Sequence, residues 1–218
     1  MSENLRLYGY WRSSCSWRVR IALNLKGLNY EYVPVHLTHE GGEQHKEPFS
    51  RLSRLAQVPV LEWTEGGAKH YLTQSLAILR FLDDLVADPQ LQPSSPLLRA
   101  RAWEAAEMIN SGIQPLQNLS NMKRLSAHGG DARAMAKDVI ATGFVAVEEV
   151  LSMSKGRYAV GDHPSIADCC LIPQIYNARR FDVDLEPFPT IRHIAASCGD
   201  HEAFRRAHPD LQPDAVQP

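Results

Sequence analysis

The sequence predicts a small α/β domain followed by an all-helical one, and three observations carry that expectation. Up to residue 87 the apolar pattern runs in the order β-α-β, then, after a polar connection, β-β-α. The stretch Ala87-Asp88-Pro89 to Pro93-Ser94-Ser95-Pro96 holds three prolines and two serines, which bar regular structure and read as a linker. From Leu97 onward almost nothing alternates with period two, so the remainder reads as helices. The expected boundaries are residues 1–87, a linker at 88–97, and a helical domain at 98–218.

The elements follow in order. Leu5, Leu7 and the aromatic residues after them alternate with polar neighbours, which suits a short strand. After Ser14, residues Trp17, Ile21 and Leu25, with Val19, Ala22 and Leu23, form the apolar stripe of a helix whose other face carries Arg18, Asn24 and Lys26. Gly27 stands where a helix end favours a residue free to take positive φ. Residues 30–35, rich in aromatic and β-branched side chains, read as a second strand, which makes a right-handed βαβ unit. Residues 38–57 are polar, broken by Gly41-Gly42 and Pro48, and predict loop with some irregular helix. Residues 58–63 form a strand, Glu65-Gly66-Gly67-Ala68 a turn, and 69–72 an antiparallel return. Ser75 opens a helix expected to bury Leu76, Leu79, Phe81, Leu82 and Leu85. This order matches a thioredoxin-like layer of sheet and helices. Beyond the linker, helices are expected over 98–126, 132–153 and 165–181, with shorter pieces at 190–197 and 202–207 and a loosely packed polar tail at 209–218.

With 44% hydrophobic and 22% charged residues, the 218-residue chain has the composition of a soluble globular protein. A formal charge of −2 gives no electrostatic case for binding nucleic acid or an anionic membrane. Met1-Ser2-Glu3-Asn4 shows no basic region followed by an apolar core, and no run approaches a membrane span, so the cytoplasm is the expected compartment. The four cysteines, two of them adjacent, do not form a disulfide framework, and the nine histidines lack metal-ligand spacing, so no metal is expected.

Three short stretches can carry chemistry. In Tyr8-Gly9-Tyr10-Trp11-Arg12-Ser13-Ser14-Cys15-Ser16-Trp17-Arg18 a strand gives way to a helix whose unpaired N–H groups and dipole favour a thiolate or carboxylate. The same serines also serve as ordinary N-caps. Val58-Pro59 is either an edge-strand proline or a cis bond that turns backbone groups toward an open face. Gln74-Ser75 is either a plain cap or a grip on a carboxylate at a helix start. Ser165-Ile166-Ala167-Asp168 has the form of a capping box, which gives Asp168 a structural task, and Cys169 and Cys170 follow it as packing residues.

Taken in order, these stretches resemble the glutathione transferase superfamily over nearly the whole chain. Trp11 through Ala22 is similar to the zeta class, the family that contains maleylacetoacetate isomerase and the bacterial maleylpyruvate isomerases. Further matches are Gln74-Ser75-Leu76-Ala77-Ile78, Gly112-Ile113-Gln114-Pro115-Leu116-Gln117-Asn118, Gly161-Asp162 to Ala167-Asp168, and Asn177-Ala178-Arg179-Arg180-Phe181. One departure is Ser53-Arg54, where the family has Asn-Pro; it puts the path of the loop before Val58 in question and brings positive charge at Arg54.

The resemblance implies the glutathione transferase fold, an expected homodimer, and glutathione as cofactor. It gives Ser14 the task of donating to the glutathione sulfur, with Ser13 and Cys15 beside it. Val58 would pair its backbone with the cysteinyl part, Pro59 would be cis, Gln74 and Ser75 would hold the γ-glutamyl end, and Gln44 would lie near the other end. Arg12 and Arg180 would face the carboxylates of a small dicarboxylate substrate, and Gln114 and Asn118 would line its pocket. The residue types suit these tasks: a donor beside a thiol favours the thiolate, and a guanidinium fork matches a carboxylate. Gln114 and Asn118, four apart, are expected on one helix face. Cys15 can be a nucleophile itself, as in thiol-transfer relatives, or a neighbour of Ser14. The implied reaction is cis–trans isomerisation of maleylacetoacetate, from tyrosine breakdown, or maleylpyruvate, from gentisate breakdown, through thiolate addition, rotation and elimination. A conjugating or dehalogenating transferase, or a non-catalytic interaction protein on the same fold, are the alternatives.

Overall fold

A computed structural model describes residues 5–216, so the expectation for Met1-Ser2-Glu3-Asn4 and the tail's last two residues, Gln217 and Pro218, lie outside it. Its described residues fall into two units, one made of 5–90 together with 202–216 and the other of Leu91–His201. Residues 202–216, expected from the sequence in the helical domain, thus join the first unit, and the break falls at residue 90. The physical cause is a set of long-range bonds described below.

In the first unit, period-two burial makes β1 (Leu5–Gly9), with Leu5, Leu7 and Gly9 inward. It pairs in parallel with β2 (Tyr30–Pro34), and a parallel pair needs a crossover, which α1 (Ser14–Leu25) provides. β3 (Val60–Glu65) and β4 (Ala68–Thr73) complete the sheet in the order β2-β1-β3-β4, with β1–β3 and β3–β4 antiparallel. Gly66 and Gly67 both take positive φ, the requirement of a two-residue hairpin turn. The 38–57 connection holds two 3₁₀ turns, His39–Gly41 and Glu43–His45, and the four-residue α2 (Phe49–Leu52).

Helix α1 is buried on more sides than its apolar stripe predicts. Arg18 and Arg20 are fully buried and Lys26 nearly so, because each finds fixed partners. Arg18 donates to Ser75 Oγ at 3.1 Å, Lys26 pairs with Asp83 at 2.6 Å, and Arg20 donates to the Trp11 and Ala207 carbonyls. At its end Gly27, at φ +63, lets Leu28 N–H reach Leu23 C=O and Gly27 N–H reach Asn24 C=O, a Schellman closure. Helix α3 (Ser75–Leu85) buries Leu76, Ile78, Leu79 and Leu82. Leu76, Leu79 and Leu82 are buried as expected, but Phe81 is only half-buried, tilted on Trp63 at 4.5 Å, and Leu85 is exposed, which corrects those two of the five expected residues.

A short last helix, Glu202–Arg206, and the segment after it close on α1: Asn24 donates to Ala203 C=O at 3.0 Å. The segment expected to pack loosely instead buries Pro209 and places Asp214 against Trp11 N–H at 2.9 Å.

The second unit contains α4 (Pro96–Glu107), α5 (Leu119–Ala127), α6 (Ala132–Ser152), α7 (Ile166–Arg180) and α8 (Pro189–Gly199). The single helix expected over 98–126 is broken by a π turn at Met108–Ile113 and a 3₁₀ turn at Gln114–Gln117. Pro115 cannot donate to the preceding turn and crowds it, so the ladder widens before it and restarts at Asn118. The expected capping box is present: Asp168 accepts from Ser165 N–H and Oγ, both at 2.8 Å. It also accepts from Ala159 N–H at 2.8 Å, and burial pushes its carboxyl up, so its task is structural. Cys169 and Cys170 are buried in α7, and burial beside Asp168 pushes the Cys198 thiol up. Glu148 accepts from Thr190 and Ile191 N–H at 2.7 and 2.9 Å, capping α8 from outside. Among the described residues no helix is long and apolar enough to cross a membrane, and no group of three His, Cys, Asp or Glu is placed to hold a metal.

Candidate active site

Strand register gathers three of the sequence motifs at one end of the sheet. Tyr8 pairs with Val60, so the end of β1 lies beside the start of β3, which follows Val58-Pro59 directly. Val60 pairs in turn with Thr73, which brings Gln74-Ser75 to the same edge. The β1–α1 turn, the Val-Pro step and the start of α3 therefore share one rim of the first unit.

At the β1–α1 turn, Gly9 has a steric reason: a Cβ there would stand 3.1 Å from the Tyr32 ring and 3.2 Å from Ser16. Ser13, not Ser14, is the cap of α1, its Oγ accepting from Ser16 N–H at 3.2 Å. The two functions weighed for this turn are thus divided between neighbours. Ser14 begins the helix, 8% exposed, with its hydroxyl outside that cap, and Cys15 is a half-exposed free thiol. The first amides of α1 and its dipole favour negative charge at this spot. Arg12 is half-buried, its guanidinium 5.2 Å from the Trp11 ring centroid.

Val58-Pro59 is cis and Val58 is buried. Where the family's Asn-Pro is replaced, Ser53 is buried at the end of α2, accepts from Gln57 N–H through Oγ at 3.1 Å and from Ala56 N–H through its carbonyl at 2.9 Å. The substituted serine closes the loop that leads into Val58, while Arg54 stays exposed.

Gln74 holds φ +71, a region that costs a non-glycine residue about 1–3 kcal/mol and recurs at ligand sites. Its side chain is exposed and makes no cap bond. Ser75 is buried, and because its oxygen accepts from Arg18, its proton remains for a partner at the α3 N-terminus. Gln44, buried in the Glu43–His45 turn, donates to Leu37 C=O at 3.4 Å, and its Oε1 is buried with no partner. A side chain at Gly42 would collide with the Gln44 amide. An orphaned buried amide oxygen that can accept, an anion-favouring helix start beside a hydroxyl, and a second helix start whose hydroxyl proton can be donated form a polar set suited to an extended thiol peptide with a carboxylate end.

In the second unit, Gln114 and Asn118 do not share one helix face. Gln114 opens the 3₁₀ turn, and Asn118 caps α5, its Oδ1 accepting from Ser120 N–H and Oγ, both at 3.0 Å. The break at Pro115 is the reason. Between them Gln117, buried, donates to Gln174 Oε1 at 2.5 Å and ties the irregular segment to α7. Arg180 is exposed at the end of α7, where Nη1 donates to Asn177 Oδ1 at 3.1 Å and the guanidinium lies 5.6 Å from the Phe181 ring centroid. Asn177, Gln117 and Gln174 carry no expected site role from the sequence. The spacing of Asn177 and Arg180, three apart on a helix, is the legible signal among them.

Residues 12–85 match the family described as glutathione S-transferase, N-terminal domain. The chain is 47% identical to the maleylacetoacetate isomerase of Mus musculus over 95% of this chain and 94% of that protein. Among solved structures, it is similar to a maleylacetoacetate isomerase from Anaeromyxobacter dehalogenans with bound dicarboxyethyl glutathione and citrate in the active site. That likeness has a TM-score of 0.89 and 44% identity, covering 100% of each chain. It is also similar to the holo structure of a maleylpyruvate isomerase described as a bacterial zeta-class glutathione S-transferase. There the TM-score is 0.89 at 41% identity, over 97% of this chain and 100% of the other.

Proposed function

Since this chain belongs to the zeta-class glutathione transferase family of maleylacetoacetate isomerases, we propose that it is a glutathione-dependent cis–trans isomerase of a short diacid with a cis enone. The observation that carries this reading is the convergence of Ser14, cis Val58-Pro59 and Gln74-Ser75 on one rim of the sheet. Those residues fit glutathione: the Val58 backbone suits its cysteinyl part, Ser75 and the α3 N-terminus its γ-glutamyl carboxylate, and Gln44 its other end. When bound, glutathione supplies the thiolate that adds to the cis double bond and leaves after rotation, which makes it a cofactor and not a consumed substrate.

The chain's own part is electrostatic and positional. Ser14 donates a hydrogen bond toward the sulfur and, with the first amides of α1, favours its charged form. Arg12 and Arg180 hold the substrate carboxylates and stabilise charge that develops on its carbonyl oxygen. Gln114 and Asn118 line the substrate's surroundings, Asn118 through the amide nitrogen that its cap leaves over. Assembly as a homodimer, which rests on the family resemblance, and a cytoplasmic location, which rests on the sequence pattern alone, belong to the same proposal.

Steady-state isomerisation of maleylacetoacetate and maleylpyruvate, each with and without glutathione, tests the reading. Isomerisation of at least one that requires glutathione is expected, and glutathione conjugation or halide displacement without isomerisation would replace the proposal with the transferase alternative. Arg180→Ala is expected to raise KM for the dianionic substrate about tenfold, the scale of one charge-assisted contact, while the glutathione Kd measured by calorimetry stays unchanged. Equal loss of both would remove Arg180 from carboxylate binding.

A further inference from the structure

Trp11 immediately precedes Arg12-Ser13-Ser14, and both polar groups of its backbone are held by side chains far away in sequence. Its N–H donates to Asp214 at 2.9 Å, and its carbonyl accepts from the Arg20 guanidinium at 2.8 Å. The two holders are linked to each other. Arg20 Nε donates to Ala207 C=O at 3.1 Å, its guanidinium lies 5.9 Å from the Tyr32 ring centroid, and the Tyr32 hydroxyl donates to the same Asp214 oxygen at 3.3 Å. Ala215 packs against the cluster that contains Tyr10 and Trp11.

This ring of contacts is more than filler. Arg20 is fully buried, which is unfavourable for a charge unless its hydrogen bonds are well placed. Two of those bonds go to backbone carbonyls, one in the β1–α1 turn and one in the C-terminal segment. Asp214 supplies a carboxylate where a neutral acceptor would also satisfy an amide, and bonds to ionised acceptors are about twice as strong as neutral ones. The turn between β1 and α1 has no ladder of its own to fix the Trp11 peptide.

We propose that Asp214, acting with Arg20, is a positioning residue for the β1–α1 turn: the C-terminal segment latches the Trp11 peptide and so fixes how Arg12 and Ser14 present their side chains. The consequence for turnover rests on the glutathione reading of that turn. A misplacement of about 1 Å at such a site can lower a rate about 10²-fold, so a distant latch has leverage.

The test uses the full chain. In ligand-free protein, Asp214→Ala is expected to speed hydrogen exchange of the Trp11 amide about tenfold while amides of β4 keep their rates. In the same variant, the bound glutathione thiol should titrate at higher pH and kcat should fall about tenfold. Asp214→Asn, whose neutral amide oxygen still accepts from Trp11 but more weakly, should restore part of both. Unchanged exchange at Trp11 overturns the latch, as does a loss that Asn does not restore. Faster exchange with an unchanged thiol titration and kcat overturns the positioning role. A wild-type chain that shows no glutathione thiolate would instead refute the function assigned to the turn, and the exchange measurement would still decide whether Asp214 holds it.

Discussion

Replacing Ser14 by Ala is expected to lower glutathione-dependent turnover about 10²-fold, the scale of removing one preorganised donor from a developing or resident anion. The sign of the accompanying titration follows from what the hydroxyl contacts. A donor stabilises the thiolate and not the thiol, so removing it disfavours the charged form, and the pKa of the bound thiol rises. Once that pKa lies above the working pH, each further unit of rise removes about nine-tenths of the thiolate. Thiolate absorbance followed against pH reads this directly. Division of labour in the turn makes the experiment clean, because Ser13 is the cap of α1 and Ser14 is not. Ser14→Ala should therefore leave thermal unfolding nearly unchanged, whereas Ser13→Ala should destabilise by about 1 kcal/mol. An unchanged titration with lost turnover would transfer the activating role to the adjacent Cys15 thiol, half-exposed on the first turn of the same helix.

The residues of that turn were legible because their chemistry is local. A strand period, a run of hydroxyls and a helix period occur in order, and register then places Val58-Pro59 and Gln74-Ser75 beside them without further information. Local patterns fail where a contact spans the chain. Arg18 and Lys26 read only as the face opposite the apolar stripe, because nothing near them in sequence announces Ser75 and Asp83, each 57 residues away. Asp214 reads as part of a polar tail because its partner, Trp11, lies 203 residues back. Gln114 and Asn118 illustrate another kind of failure. Their spacing fits a helix face, yet Pro115 sits between them, and a ring that cannot donate outweighs the periodicity around it. The family resemblance assigned both residues to a substrate pocket without needing the helix, which is why the role and its geometric justification must be judged separately.

Lys26→Met is expected to destabilise the chain by about 3–5 kcal/mol, the cost of removing one member of a buried ion pair. The Lys26 ammonium has three protons and three acceptors around it: Asp83 Oδ1 at 2.6 Å, Val86 C=O at 2.7 Å and Pro89 C=O at 2.5 Å. The side chains of Lys26 and Asp83 are 0% and 6% exposed, so neither salt nor water replaces what is lost. Urea unfolding measures the difference, and against a typical total of about 5–15 kcal/mol it is a large fraction. Changing both partners, Lys26→Met with Asp83→Leu, should recover much of the loss, since an apolar pair of similar size often replaces a buried ion pair at little net penalty. A single variant within about 1 kcal/mol of wild type, or a double variant no better than the single, would show that the pair does not act as a buried clamp. The effect should also reach the binding rim. Lys26 ties the far end of α1 to the far end of α3, and Arg18 ties the near ends through Ser75. The two helix starts proposed to meet glutathione, at Ser14 and Ser75, belong to helices tied at both ends by these buried cations. At a temperature where the single variant stays folded, its glutathione Kd should be weaker by a few-fold, about 1 kcal/mol, while the double variant binds as wild type does.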